Sequence, residues 1–303
     1  MVDDGSTDGT ARILGELSLR VPKLKVLQAG ELPAGWVGKN HAVAVGAAAA
    51  KGDWLLFTDA DTFHLPGAMQ RALADAAEHE AVLVSYSPEQ EMESWWERAL
   101  NSVVYWRLSE RYSFERINDP SCSDAAANGQ FLLIRREEYE RADGHRGVAR
   151  EVLEDVALAR NVKQQGGRLY FSSGRGLVST RMYRSFAAMW EGWTKNLYPL
   201  FGGSFTRYVA EMPELLLLVG LFFIPWKIPS VLDWVGLILA ACIVGIRWGM
   251  YAAYLRRNLL PWWYIQYYVP GVCLFIAAMI DSWLRNVNGS VEWKGRKYAP
   301  TAR

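Results

Sequence analysis

The stretch Trp54-Leu55-Leu56-Phe57-Thr58-Asp59-Ala60-Asp61-Thr62 constrains the fold of this chain more than any other. Four apolar residues run directly into two carboxylates one residue apart. A short apolar run without polar alternation reads as a strand buried on both faces, the kind found in parallel sheets. In open α/β sheets, ligands bind just beyond the carboxyl ends of the strands. Asp59 and Asp61 therefore stand where a ligand would stand. Their side chains start on opposite sides of the strand, but a turn can bring both onto one ion. Hard carboxylate oxygens suit Mg²⁺ or Mn²⁺, which would in turn hold a diphosphate. The plain alternative is a solvated turn after a strand.

The neighbours repeat the same rhythm. Met1 to Thr10 (MVDDGSTDGT) reads as the end of a strand, a turn, and a helix cap at Thr7 or Asp8. A helix is expected over 11–19, a strand over 25–27 and a small-residue helix over 38–51 that carries Lys39, Asn40 and His41. After Trp54–Phe57 come a helix with Pro66 in its first turn and a strand over 81–84. Alternating strands and helices predict an α/β fold, a doubly wound, mostly parallel sheet. Almost nothing precedes the first turn, although a strand takes about five residues, so the sheet is expected to lack its first strand.

Residues 93–112 break the rhythm. Trp95, Trp96, Leu100, Val103 and Val104 share one helical face, which Tyr105, Trp106 and Leu108 widen. Such a helix either lies in a membrane interface or packs on the sheet. A strand over 128–134 leads to Arg135-Arg136. In 150–159 the apolar positions 152, 153, 156 and 159 have helical spacing, which puts Glu154 and Asp155 near a helix start, where carboxylates also simply complement the dipole. Short strands are expected over 169–171 and 177–180.

Past Tyr198 the composition turns apolar. Residues 231–254 and 259–280 are each long enough to span a bilayer, which takes about 20 residues; 215–226 is apolar but short. Trp226, Trp234, Trp248, Trp262, Trp263 and Trp283 fall near the segment ends, as in an aromatic belt. The expected plan is an α/β domain over 1–200, a membrane region of two to three helices over 201–285, and a basic tail over 286–303. The net charge of +1 in 303 residues offers no global field for nucleic acid. Cys122, Cys242 and Cys273 have neither disulfide nor zinc spacing, and no Gly-x-Gly-x-x-Gly follows a strand, against a dinucleotide-binding dehydrogenase.

Three stretches together resemble the family 2 glycosyltransferases with the GT-A fold: Val2-Asp3-Asp4-Gly5-Ser6-Thr7-Asp8-Gly9-Thr10, Thr58-Asp59-Ala60-Asp61-Thr62 and Leu153-Glu154-Asp155. The resemblance covers about residues 1 to 200. It implies that Asp3 and Asp4 lie against the nucleotide, that Asp59 and Asp61 hold the metal and diphosphate, and that Asp155 is the catalytic base, with Glu154 orienting it. Lys39, Arg181 and Arg184 are phosphate candidates. It also implies an N-terminally incomplete domain, because the family's first strand has no counterpart here. Gly35-Trp36-Val37-Gly38-Lys39-Asn40, Arg181-Met182-Tyr183-Arg184, Glu191 to Asn196 and the tail Trp293 to Tyr298 resemble a membrane-bound subgroup associated with hopanoid and carotenoid glycosylation.

The expected activity is an inverting, Mg²⁺- or Mn²⁺-dependent transfer of one sugar from a nucleotide sugar, UDP-linked, to a lipid hydroxyl of hopanoid, carotenoid or polyisoprenoid type. A single transfer is expected because the Gln-x-x-Arg-Trp of processive synthases is represented here only by Arg181-x-x-Arg184-Ser185. A cell-membrane, multi-pass protein with a cytoplasmic catalytic domain is expected. The tail residues Arg285, Lys294, Arg296, Lys297 and Arg303 also belong inside, which requires an even number of spans, hence two. Two rival readings remain: a haloacid-dehalogenase-like phosphatase using Asp59 as nucleophile, and an inactive membrane protein with a decayed transferase domain.

Overall fold

The computed structural model of the chain describes residues 1–204, 206, 208, 231–290, 292–293 and 296–297. The short apolar segment at 215–226 and most of the basic tail lie outside the described residues. The chain divides into two compact units, Met1–Glu91 with Tyr112–Arg181, and Met92–Arg111 with Met182–Arg303. Residues 92–111 thus group with the C-terminal part of the chain.

The first unit runs β1 (Val2–Asp3), α1 (Thr10–Arg20), β2 (Leu27–Gln28), α2 (Gly38–Ala49), β3 (Trp54–Phe57), β4 (Thr62–His64), α3 (Ala68–Glu78), β5 (Leu83–Ser87) and β6 (Glu89–Gln90). The chain then gives α4 (Trp95–Arg111) to the second unit. It returns with α5 (Phe114–Asn118), β7 (Leu132–Arg135), α6 (Arg136–Arg141), α7 (Glu154–Gln164), β8 (Leu169–Ser173) and β9 (Val178–Thr180). The central sheet has the order β3-β7-β5-β8.

The sheet is mixed, which corrects the expected mostly parallel one. β7 lies antiparallel to both β3 and β5, while β5 and β8 are parallel. The reason the sequence misled is physical. Leu132-Leu133-Ile134 is buried on both faces, and such a run carries no information about strand direction. β1 and β2 pair in parallel as a two-stranded sheet of their own, and β4, β9 and β6 form a three-stranded side sheet.

Both faces of the central sheet are covered, as the apolar runs require. Leu55, Leu83, Leu132, Ile134, Leu169 and Phe171 point to one cluster, which α7 closes with Leu158 and Val162. Val84, Tyr86, Phe131 and Leu133 point to the other, closed by Ala68, Ala72 and Ala76 of α3. This double cover fixes β3 firmly and leaves its carboxyl end to carry the acidic turn.

The described residues of the second unit are mostly helical, α4, α8 (Phe186–Leu200), α9 (Val231–Arg257), a 3-10 turn (Trp262–Tyr267) and α10 (Tyr268–Val287), with a short antiparallel pair of Glu292–Trp293 and Arg296–Lys297. Its core joins Leu100, Val103, Val104 and Trp106 of α4 to Trp193 and Leu197 of α8 and to Tyr268, Val272, Phe275 and Met279 of α10. α4 was expected at a membrane interface or on the sheet. Within the described residues it is a core helix of this unit, with Ala99, Leu100, Ser102, Val103 and Val104 all buried. α4 and α10 approach closely at Gly271, where an added methyl would collide with the Ala99 carbonyl oxygen and lie 2.7 Å from Val103 Cγ2. α9 is one continuous helix of 27 residues. It exposes Val235, Ile238, Leu239, Ile243, Ile246 and Met250, positions that recur at helical spacing along one stripe. Among the described residues, Trp262–Val287 is long and apolar enough to cross a membrane by length and composition, and 44% of its apolar window is buried within the protein.

Candidate active site

The acidic turn links β3 to β4. Its backbone closes through Thr62 N donating to Asp59 O at 3.3 Å, a tight turn of four residues. The side sheet fastens it from beyond: Thr62 pairs with Thr180 in the antiparallel ladder, and Thr180 Oγ1 donates to the Asp61 carbonyl at 3.0 Å. Asp59 is partly exposed and Asp61 exposed. Thr58, just before them, donates its hydroxyl to Gln130 O at 3.0 Å and meets His64 Nε2 at 2.8 Å. With the Thr58 proton on the carbonyl, the imidazole donates to the hydroxyl through Nε2–H.

Lys39 stands in the first turn of α2 and reaches two acidic groups at once. Its Nζ lies 2.9 Å from Asp59 Oδ1 and 2.8 Å from Glu154 Oε1. Glu154 and Asp155 open α7, where the exposed amides and helix dipole favour negative charge. Asp155 accepts one amide on each oxygen, from Val156 N and Gly129 N, both at 2.8 Å. Gly129 is set so close that a methyl on it would lie 3.3 Å from Lys39 Nζ, 3.4 Å from Glu154 Oε1 and 3.5 Å from Asp155 Oδ2. Residues of α2, β3, α7 and the loop before β7 therefore meet at one point.

The electrostatics follow from one ammonium among several carboxylates. Loss of water pulls Lys39 down, but Glu154, Asp59 and Asp155 more than offset this and hold it well above its ordinary value. Burial pushes Glu154 up, yet the charge and hydrogen bond of Lys39 outweigh it and leave the carboxyl below its ordinary value. Asp155 goes the other way. Burial and the neighbouring Glu154 charge raise it to about 6, against the opposing pull of Lys39 and the two amides. Of two adjacent carboxylates, one is thus held ionised and the other poised to take a proton near neutrality. Behind them, His145 is buried and donates its amide to Tyr139 Oη at 3.1 Å, while Tyr139 Oη meets its Nδ1 at 3.0 Å. Burial holds this imidazole down to about 4, so it is neutral.

The other sequence candidates are placed as follows. Asp3 is buried and accepts from Ser6 N at 3.0 Å, Ser6 Oγ at 2.5 Å and Gln28 Nε2 at 3.3 Å. The Ser6 bonds hold its carboxyl below the ordinary value, and the side chain is engaged in closing the turn after β1. Asp4 beside it is partly exposed. Arg181 ends the first unit, just after β9, whereas Arg184 is an exposed residue of the second unit. Reading the sequence alone missed Gly129, Asn40, Thr58 with His64, and His145. A Gly between a polar Asn and Gln at the mouth of an apolar strand, and an Asn inside a helix of small residues, were the available signals.

Two carboxylates on the β3–β4 turn supply oxygen donors of the kind a hard divalent ion takes, with diphosphate oxygens and water completing its shell. Asp61 is exposed on the turn, and Asp59 would divide its carboxylate between such an ion and the Lys39 ammonium. The donor chemistry fits. Among the described residues, the group of three ligand-type side chains within reach of one ion lies elsewhere, at Asp75, Glu78 and His79. There Asp75 is already met by Arg71 Nη2 at 2.7 Å and Tyr86 Oη at 2.5 Å.

Residues 1–141 match the model of Glycosyl transferase family 2. No curated protein sequence matches the chain. Among solved structures it is similar to a mannosyltransferase of Pyrobaculum calidifontis in complex with GDP-Man and Mn²⁺, at 16% identity over 94% of this chain and 76% of that one, with a TM-score of 0.57. It is more distantly similar to S. aureus TarS 1–349 with UDP-GlcNAc, at 17% identity, 70% and 56% coverage and a TM-score of 0.40. A third is glucosyl-3-phosphoglycerate synthase of Mycobacterium tuberculosis, at 17% identity, 68% and 67% coverage and a TM-score of 0.41. The last two likenesses are too low to carry an argument. The fold is a GT-A-like α/β fold. The likeness to family 2 glycosyltransferases is thus carried by residues 1–141, most of which belong to the first unit. The phosphatase reading is not favoured, and Asp59 is met by an ammonium rather than presented as a nucleophile.

Proposed function

We propose that the protein is a membrane-associated, inverting glycosyltransferase that moves a single sugar from a nucleotide sugar, UDP-linked, to a lipid hydroxyl of hopanoid, carotenoid or polyisoprenoid type. The observation that carries the chemistry is Asp155, poised at about 6 and fixed by two amides, beside Glu154, Lys39 and Asp59. A general base works best when its pKa lies near the working pH. Asp155 takes the proton of the acceptor hydroxyl as that oxygen forms its bond to the anomeric carbon. The bond from that carbon to the diphosphate oxygen breaks with its electron pair, and the nucleoside diphosphate leaves. Attack opposite the leaving group inverts the centre. Glu154 stays ionised and, with the Gly129 amide, keeps the proton-accepting oxygen of Asp155 in place. Asp59 and Asp61 would hold Mg²⁺ or Mn²⁺, which supplies a positive charge for the departing diphosphate. Lys39 adds a second positive group at the same turn, and Asp4 faces the nucleotide.

The lipid acceptor and the multi-pass membrane location are supported by composition: the exposed apolar stripe of α9, the 262–287 segment and the flanking tryptophans. The catalytic domain would face the cytoplasm, where nucleotide sugars are made. The test is transfer of radiolabelled sugar from UDP- and GDP-linked donors, with Mn²⁺, into a lipid extract by the detergent-solubilised chain. Asp155→Ala should lower transfer by roughly a thousandfold and leave donor affinity, read by equilibrium dialysis, within threefold. Near-normal turnover of Asp155→Ala would remove this residue from the base role. Release of the full chain from membranes by alkaline carbonate would remove the multi-pass reading.

A further inference from the structure

We infer that Asn40 is a positioning residue for the base, holding the backbone segment 148–151 from which Glu154 and Asp155 are presented; the inference rests on the reading of Asp155 above. Asn40 is wholly buried within α2. Its Nδ2 lies 2.9 Å from Val148 O, 3.2 Å from Ala149 O and 2.9 Å from Glu151 O. One side-chain amide therefore gathers the carbonyls of a segment more than a hundred positions away in sequence. The backbone of the same turn adds a further tie, Val37 N donating to Ala149 O at 2.8 Å. The segment is itself tightly wound, with Ala149 N on Arg146 O and Glu151 N on Val148 O. Three residues after the last of these carbonyls the chain enters α7 at Glu154.

The position in α2 gives this clamp its meaning. Lys39, the preceding residue, holds Asp59 and Glu154 by charge. Asn40 holds the backbone that delivers Glu154. A single helical turn thus fixes the α7 acids at two points, one through side-chain charge and one through main-chain carbonyls. The orientation of the amide is unambiguous, because turning it over would set its oxygen against three carbonyl oxygens. In the observed orientation Asn40 Oδ1 is buried without a hydrogen-bond partner. The site keeps a side chain that leaves one acceptor unsatisfied in order to supply donors at this place, which Ser, with one donor, or Leu, with none, would not do.

The experiment compares Asn40→Asp and Asn40→Ser with the full-length chain, and each with the same change in an Asp155→Ala background. Asn40→Asp keeps the shape and sets carboxylate oxygens against the three carbonyls. Asn40→Ser keeps one donor and adds no charge, so it reports if the Asp variant fails to fold. Expected are a fall in kcat of at least 30-fold for Asp and about tenfold for Ser, the size of a lost positioning effect, with the donor KM within threefold. In the Asp155→Ala background neither change should lower the residual rate further. A merely structural role would instead lower the amount of folded protein and leave kcat per folded molecule unchanged, and that result overturns the proposal. Equal fractional losses with and without Asp155 also overturn it. If Asp155→Ala alone turns over normally, the functional reading has failed, whatever the Asn40 variants do.

Discussion

Replacing Lys39 by Met tests the charge arrangement most directly, because the length of the side chain is kept and only the ammonium goes. Two carboxylates lie within 3 Å of that ammonium in the structure, at 2.9 Å and 2.8 Å. At an effective dielectric of ~20, a pair of unit charges about 3 Å apart interacts by roughly 5 kcal/mol before desolvation. The Glu154 side chain is 8% exposed and that of Lys39 is 43% exposed, so solvent screening trims the gross figure. A net loss of about 2 kcal/mol is a reasonable scale, and in a domain of this size it corresponds to about 4–8 °C in Tm. The pH dependence has a definite sign. Lys39 lowers Glu154 below its unfolded value, so its contribution is present above that value and is lost as pH falls through the folded pKa. The stability gap between wild type and Lys39→Met should therefore be full at pH 7 and close toward pH 4. Lys39 also lowers Asp155 against burial and Glu154. Without it, the acid limb of kcat should move to higher pH. The assays are thermal melts at pH 7 and pH 4 and a kcat profile from pH 5 to 9. An unmoved acid limb together with a stability gap that is the same at both pH values would refute the reasoning.

Gly129→Ala should cut kcat by about tenfold while moving Tm little, because the methyl crowds Lys39, Glu154 and Asp155 at 3.3–3.5 Å on a partly open surface and misplaces a catalytic group; unchanged kcat would show that the base tolerates the shift. Gly271→Ala should destabilise the second unit by about 1–3 kcal/mol through overpacking, read as a lower melting temperature; an unchanged Tm would show that α4 and α10 can separate without loss. Chelation with EDTA should stop transfer and Mn²⁺ or Mg²⁺ should restore it; full turnover in excess EDTA would remove the metal role from Asp59 and Asp61. The same ion should raise Tm, by ~2.7 kcal/mol of added stability at a hundredfold excess over its Kd.

Where local pattern settled an element, the sequence was sufficient. The Trp54–Phe57 run was legible as a strand, though the structure sets it at the sheet edge with Leu55 alone fully buried, and spacing at 152, 153, 156 and 159 placed Glu154 and Asp155 at a helix start, which is where α7 begins. What escaped was information that no local pattern holds. The direction of β7 is one case. The partner of α4 is another: its aromatic face was evident, but the surface it meets comes from α8 and α10, some ninety or more residues later in the chain. Side chains whose partners are backbone atoms were equally hidden. Asn40 stands out in the sequence only as part of a motif in an Ala-rich helix, with no role to read until the 148–151 carbonyls stand against it. Lys39 was read as a phosphate ligand, and the partners the structure gives it are Asp59 and Glu154.

The arrangement of charge explains why these residues lie together. Around Lys39 the fold gathers Asp59, Glu154 and Asp155, three acids to one base, and the mouth of the site adds exposed Asp61. Such an excess is costly to hold, and the protein limits the cost in two ways. It gives each Asp155 oxygen an amide donor, and it lets Asp155 rise to about 6, so that the acid farthest out of balance sheds its charge first. The remaining surplus is what a site needs if it is to draw in a cation and accept a proton in the same step. Filling it with neutral residues would stabilise the fold and remove both properties, which is the usual conflict between a stable interior and a working one. On this view the lysine is the smallest counter-charge that keeps Glu154 ionised without also quenching Asp155. Arg in its place, with a wider guanidinium spread over both acids, should hold the fold as well and lower the base below its useful range.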